Sequence, residues 1–154
     1  MKQTNGILYT FRTFPYKEIL KHEFKELFIF GTLRDDFEKL IKVINKKKPR
    51  YIIGVAKSPW EYSQFEREAI NQFHGKGKLS NKSRSSFKLY HPQKGYKSIR
   101  LSKYPTDSFC NWTMYKIAEH IQGNSIKLLF IHTTEMDINK VIVYIRGLMK
   151  QNGL

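Results

Sequence analysis

The stretch at residues 27–56 reads LFIFGTLRDDFEKLIKVINKKKPRYIIGVA. It opens on an apolar run, residues 27–31, that is too short for a helix and closes at a glycine, so it reads as a strand. From Asp35 the period changes, and Phe37, Leu40, Ile41 and Ile44 recur at helical spacing. Asp35 and Asp36 stand where carboxylates favour a helix N-terminus, Lys46, Lys47 and Lys48 suit its last turn, and Pro49 stops it. Residues 51–56, YIIGVA, have no polar face and read as a central strand covered on both sides. Strand, helix and strand with short links make a βαβ unit, which implies a right-handed crossover and a largely parallel sheet.

Outward from this unit the alternation continues. Gly6–Phe11, GILYTF, reads as a first strand. Residues 66–71, EREAIN, suit a helix by propensity or a strand by context. Residues 75–86 are rich in Gly, Ser, Asn and Lys and read as a loop; short strands are expected within residues 87–101. Residues 108–122 read as a helix capped by Asp107 or Ser108, with Tyr115, Ile117, Ala118 and Ile121 as its buried stripe and Gly123 at its end. Residues 126–131, IKLLFI, form another buried strand, and Ile138–Lys150 form a last helix that turns Val141, Ile142, Ile145 and Leu148 to the sheet. The expectation is one α/β domain over residues 1–154.

Composition limits the partners. The chain has 154 residues, 40% hydrophobic and 14% aromatic, enough for a packed core. Nothing approaches the roughly 20 apolar residues that span a bilayer, and the first residues do not read as a secretory signal. Cys110 is the only cysteine, so no intramolecular disulfide forms, and a free thiol without a secretory signal points to the cytoplasm. The net charge is +15, and no acidic residue occurs between Glu68 and Asp107. The basic region about residues 74–103 therefore has two readings. It is a solvated loop, or it contacts a nucleic acid or another polyanion through Lys76, Lys78, Lys82, Arg84 and Lys88.

Chemistry concentrates at two residues. Cys110 lies at the start of the helix that begins at Ser108, where unpaired N–H groups and the helix dipole favour a thiolate. His132 directly follows a buried strand, and strand C-terminal ends are where ligands gather in parallel sheets. The two can meet on one rim of the sheet as a Cys–His nucleophilic pair, although the same features suit a core cysteine and a hydrogen-bonded histidine. The five histidines show no metal-ligand spacing, and no metal or organic cofactor is implied. GKGK at Gly75 lacks the phosphate-loop pattern. Trp60 and Trp112 suit packing better than base stacking.

Four segments add a resemblance. FEREAIN (residues 65–71), SFCNWTMY (residues 108–115) and FIH (residues 130–132) resemble, in order and spacing, the three signature segments of the cysteine-type pyroglutamyl peptidases. Thr10, Phe11 and Phe14 are similar to that family's turn after the first strand. The resemblance implies a three-layer α/β/α sandwich around a largely parallel, mixed sheet. It also implies removal of an N-terminal pyroglutamate, or opening of a similar small cyclic amide, from a small peptide with a blocked N-terminus. Cys110 would be the nucleophile, His132 its base and Glu66 the acid that orients the imidazole; Glu68 stays open as an alternative to Glu66. Phe11 and Phe14 would enclose the ring, and Asn71 matches the segment's last position and would contribute to substrate binding. Family members often form homo-oligomers.

The chain also departs from the family. It is shorter. The glycine-rich turn after the central strand is replaced by Lys57-Ser58-Pro59-Trp60, the first turn has lost its glycine, and Tyr104-Pro105-Thr106-Asp107-Ser108-Phe109 precede Cys110 where the family has a small residue and glycine. A working triad predicts a Cys110 thiol that alkylates fast near neutral pH. A non-catalytic basic binding module on the same fold predicts salt-sensitive polyanion binding indifferent to Cys110, and an inactive homologue predicts neither.

Overall fold

The computed structural model describes residues 5–75, 77–81 and 84–150. In chain order the elements are β1 (Gly6–Phe11), α1 (Lys17–Glu23), β2 (Leu27–Phe30), α2 (Leu33–Lys47), β3 (Tyr51–Lys57), β4 (Gln64–Phe65), β5 (Glu68–Ile70), β6 (Ser86–Lys88), β7 (Arg100–Leu101), α3 (Phe109–Ile121), β8 (Lys127–Thr133) and α4 (Ile138–Lys150). Six strands form one sheet in the order β2-β1-β3-β8-β4-β7, and β5 and β6 pair separately. Strands β2, β1, β3 and β8 are parallel, β4 runs antiparallel to β8, and β7 runs parallel to β4. The sheet is therefore mixed but mostly parallel, as the βαβ reading and the resemblance imply.

Successive side chains of a strand point to opposite faces, and this period divides the apolar residues between two layers. Ile7, Tyr9, Phe11, Ile52, Leu128 and Phe130 pack on one side with Leu40 and Ile44 of α2 and Met114, Ile117 and Ile121 of α3. Leu8, Ile53, Val55, Leu129 and Ile131 pack on the other with Leu20 of α1 and Val141, Ile142, Ile145 and Leu148 of α4. The result is a three-layer α/β/α arrangement. Helix α3 is buried nearly all round, from Cys110 through Tyr115 and on to Ile121, because α2 covers its outer side; the Phe37 and Trp112 rings meet edge-on at 5.5 Å. Gly54 in β3 lies beneath Tyr9 and Phe130, where a Cβ would come within 2.5 Å of both rings.

The structure refines several sequence expectations. Helix α2 starts at Leu33 rather than Asp35, because the Asp36 carboxylate accepts the Gly31 and Thr32 backbone N–H groups at 2.6 and 2.8 Å and so extends the first turn. EREAIN is not a helix. Its backbone finds tertiary partners, with the Glu66 N–H donating to the Phe130 carbonyl and the Ile70 N–H to Asn111 Oδ1. Helix α1 carries no clear pattern: it has seven residues, one buried side chain and no side-chain cap. Lys76 and Lys82 lie outside the described residues.

Candidate active site

Strand parity positions the chemistry. His132 follows Phe130 at the two-residue spacing of β8, so it points to the α3 side of the sheet, the side of Cys110. Phe65 packs in the opposite layer, so Gln64 and Glu66 on either side of it face the α3 side as well. Register does the rest, because β4 sets Gln64 directly beside His132. His132 Nδ1 and Glu66 Oε1 lie 2.7 Å apart, and Glu66 Oε1 also accepts from Gln64 Nε2 at 2.7 Å. Glu66 is fully buried and His132 nearly so. Glu66 Oε2 is buried and finds no partner among the described residues. With Nδ1 turned to the carboxylate, Nε2 faces away from it. Glu68 lies on β5 opposite Lys88, half-buried, and has no part in this pair.

Cys110 occupies the first turn of α3 and is buried. Burial pushes its thiol up to about 12; the Ser108 hydroxyl hydrogen bond opposes this, and the Glu66 carboxylate adds to it. The helix terminus expected to favour a thiolate is thus outweighed by desolvation and by a nearby negative charge, and the free protein holds a neutral thiol. The first turn is fixed from below: Thr113 Oγ1 donates to the Cys110 carbonyl at 2.8 Å and lies 3.0 Å from the Tyr9 hydroxyl. Burial also drives the Tyr9 phenol well above its ordinary value. Asn111 ties the same turn to β5, accepting from the Ile70 N–H and donating to the Ile70 and Gln72 carbonyls, each at 2.9 Å.

The remaining expected residues separate. Phe11 lines a cavity of about 210 Å³ with Arg12, Thr13, Phe30, Leu33 and Phe109; its ring meets Phe109, the neighbour of Cys110, at 4.8 Å. Phe14 packs in the opposite layer with Leu20 and meets the Tyr16 ring edge-on. Asn71 holds the following loop, accepting from the Leu79 and Ser80 N–H groups and donating to the Ser80 carbonyl. Two neighbours of His132 escaped the sequence reading. One is Gln64, for which the signal was its spacing of two from Glu66. The other is Trp60, whose ring lies 5.8 Å from the imidazole at 79°.

Neither a protein-family model nor a curated protein matches the chain by sequence. Solved structures do. The pyroglutamyl peptidase I of Bacillus amyloliquefaciens matches with a TM-score of 0.70 at 18% identity, over 97% of this chain and 92% of that one. The fold is that of the pyroglutamyl peptidases. A pyrrolidone carboxyl peptidase variant from the hyperthermophile Pyrococcus furiosus matches with a TM-score of 0.71 at 17% identity, over 97% of this chain and 99% of that one. The enzyme from Thermococcus litoralis matches with 0.64 at 16%, over 85% and 76%. This pyroglutamyl peptidase fold is therefore kept with little of its sequence. No helix among the described residues is long and apolar enough to cross a membrane.

Proposed function

We propose that the protein is a cysteine hydrolase that removes an N-terminal pyroglutamyl group, or a similar small cyclic acyl group, from a peptide. The observation that supports this reading is the buried Glu66–His132 hydrogen bond on the α3 side of the sheet, with the Glu66 carboxylate near enough to Cys110 to raise its thiol. In the reaction the Cys110 sulfur attacks the acyl carbonyl carbon as His132 Nε2 takes the thiol proton, since the thiol is neutral beforehand. Glu66 Oε1 holds the Nδ1 proton and stabilises the imidazolium that forms. Backbone N–H groups at the start of α3 receive the oxyanion. The C–N bond then breaks, Nε2 returns the proton to the leaving amine, and a water deprotonated by Nε2 hydrolyses the thioester and frees the thiol. The cavity beside Phe11 and Phe109 is the candidate seat for the ring, being lined mostly by apolar side chains, among them that of Phe109, the residue before Cys110. Turnover of a pyroglutamyl amide measured against the alkylated fraction of Cys110 tests the pathway: loss of turnover in proportion to alkylation supports it, and turnover that survives full alkylation contradicts it.

A second reading is favoured by one observation. A groove of about 420 Å³ is lined by Arg67, Lys88, His91 and Lys103 with Glu68 as its acid, and the described ion pairs all lie elsewhere. Exposed Lys78, Arg84 and Lys88 extend the basic surface. Binding of a nucleic acid there would weaken steeply with salt and would survive Cys110→Ala.

A further inference from the structure

The segment between β3 and β4 is built as a rigid aromatic platform beside His132. Ser58 makes it rigid: its N–H donates to the Thr133 carbonyl at 2.8 Å, its hydroxyl donates to the Tyr62 carbonyl at 2.6 Å and accepts from the Trp60 N–H at 3.1 Å. One end of the turn is thereby fixed to the strand that carries His132, and the other end is tied back to Ser58. On this turn the Trp60 and Tyr62 rings stack, 8° from parallel with centroids 5.7 Å apart. The Arg100 guanidinium lies 4.1 Å over the Tyr62 ring. Trp60 also meets the imidazole edge-on, yet it is 37% exposed. A large indole ring held in place, in contact with the catalytic base and open to solvent has surface to offer a ligand.

Position decides which part of a substrate meets it. The acyl group is bonded to sulfur, whereas the leaving amine takes its proton from Nε2 and so passes within about 3 Å of the imidazole. The side chain on that leaving residue lies next to the groups that flank the imidazole, and Trp60 flanks it. The Arg100 guanidinium keeps its charge but lies over the Tyr62 ring, so the group that meets the imidazole is the Trp60 ring, an aromatic face. Aromatic rings pair well with such a face in offset or edge-on geometry. Building on the hydrolase reading, we infer that Trp60, backed by Tyr62 and Arg100, forms a leaving-group subsite that selects peptides with an aromatic residue immediately after the cyclic one.

The test compares kcat/KM for pyroglutamyl-phenylalanine amide and pyroglutamyl-alanine amide in the wild type, Trp60→Ala and Trp60→Phe. The expected preference for the phenylalanine substrate is about tenfold, the scale of one ring pair with its buried area. It falls to near unity in Trp60→Ala and is largely restored in Trp60→Phe, which a merely structural role would not produce. A preference that Trp60→Ala leaves unchanged, or equal kcat/KM for the two amides in the wild type, overturns the inference. The same three proteins are also alkylated at Cys110 with iodoacetanilide and with iodoacetamide, in which the thiolate displaces iodide. If neither amide turns over but the anilide-to-amide rate ratio drops in Trp60→Ala, the subsite stands and the pyroglutamyl substrate falls. If the ratio is the same in all three proteins, the subsite falls. A thiol inert to both reagents at pH 9, where a group raised to about 12 still supplies some thiolate, overturns both readings.

Discussion

Glu66→Gln is the change whose consequences separate most sharply. The substitution keeps the shape of the side chain and an oxygen able to accept from Nδ1 or Gln64, but removes the buried negative charge. The imidazolium formed during attack then loses its counter-ion. A unit charge pair about 4 Å apart is worth roughly 4 kcal/mol at the effective dielectric that fits protein interiors. That corresponds to about a thousandfold loss in kcat/KM. The thiol responds in the opposite sense. Glu66 helps to hold the Cys110 thiol neutral, so removing its charge lowers the thiol's pKa and enlarges the thiolate fraction at any given pH below it. The assay is paired: hydrolysis of a fluorogenic pyroglutamyl amide, and the second-order rate of Cys110 alkylation by iodoacetamide at pH 9. Turnover should collapse while alkylation accelerates. A turnover loss under tenfold, or alkylation that slows in step with turnover, would refute the assignment of Glu66 as the charge serving both groups.

Other expectations follow from single observations. Wild-type alkylation should climb with pH throughout the range below about 12, without a plateau near neutrality, because the thiol is raised to that value; stopped-time alkylation across pH 6–10, on the order of the range accessible before the fold titrates, checks this. Asn111→Ala removes a buried side chain that makes three backbone hydrogen bonds, two to Ile70 of β5 and one to Gln72 just after it, and should cost about 2–4 kcal/mol in urea unfolding. Gly54→Ala brings a methyl against Tyr9 and Phe130 and should cost about 1–3 kcal/mol by the same measurement. The Thr32 and Gly31 backbone N–H groups hold the Asp36 carboxyl below its ordinary value. A depressed carboxyl contributes stability above its unfolded pKa and loses it as pH falls through the folded one. Asp36→Asn should therefore lower stability at pH 7 and flatten the acid limb below pH ~4, read from thermal melts.

Much of the fold was legible because the parallel strands announce themselves. YIIGVA has no polar residue to face water, and the period change at Asp35 marks the crossover helix, so β3 and α2 follow from pattern alone. The helix at Ser108 and the strand before His132 were legible for the same reason. The short pieces were not. Strand β4 has two residues and exists because β8 offers it an open edge, a fact about the sheet rather than about Gln64 and Phe65. Helix α1 buries only Leu20, too little to leave a periodic signature. The site was partly legible. Glu66 and Glu68 are two apart and share a strand-like parity, so the sequence alone left both open; the chain turns between β4 and β5, and only Glu66 reaches His132. A helix start is visible in sequence, whereas the depth of burial that outweighs it at the Cys110 thiol is not. Phe14 and Phe11 are three apart, and the turn after β1 sends them to opposite layers. Trp60 gave no periodic signal at all, since its neighbour His132 comes from a strand seventy residues on.

Whether Cys110, His132 and Glu66 act together on a cyclic acyl group is tested by hydrolysis of a fluorogenic pyroglutamyl amide under reducing conditions by the wild type beside Cys110→Ala and His132→Ala, with circular dichroism to verify that each is folded. Turnover is expected from the wild type and none above the uncatalysed rate from either folded variant. Wild-type turnover that persists in folded Cys110→Ala would contradict that joint action.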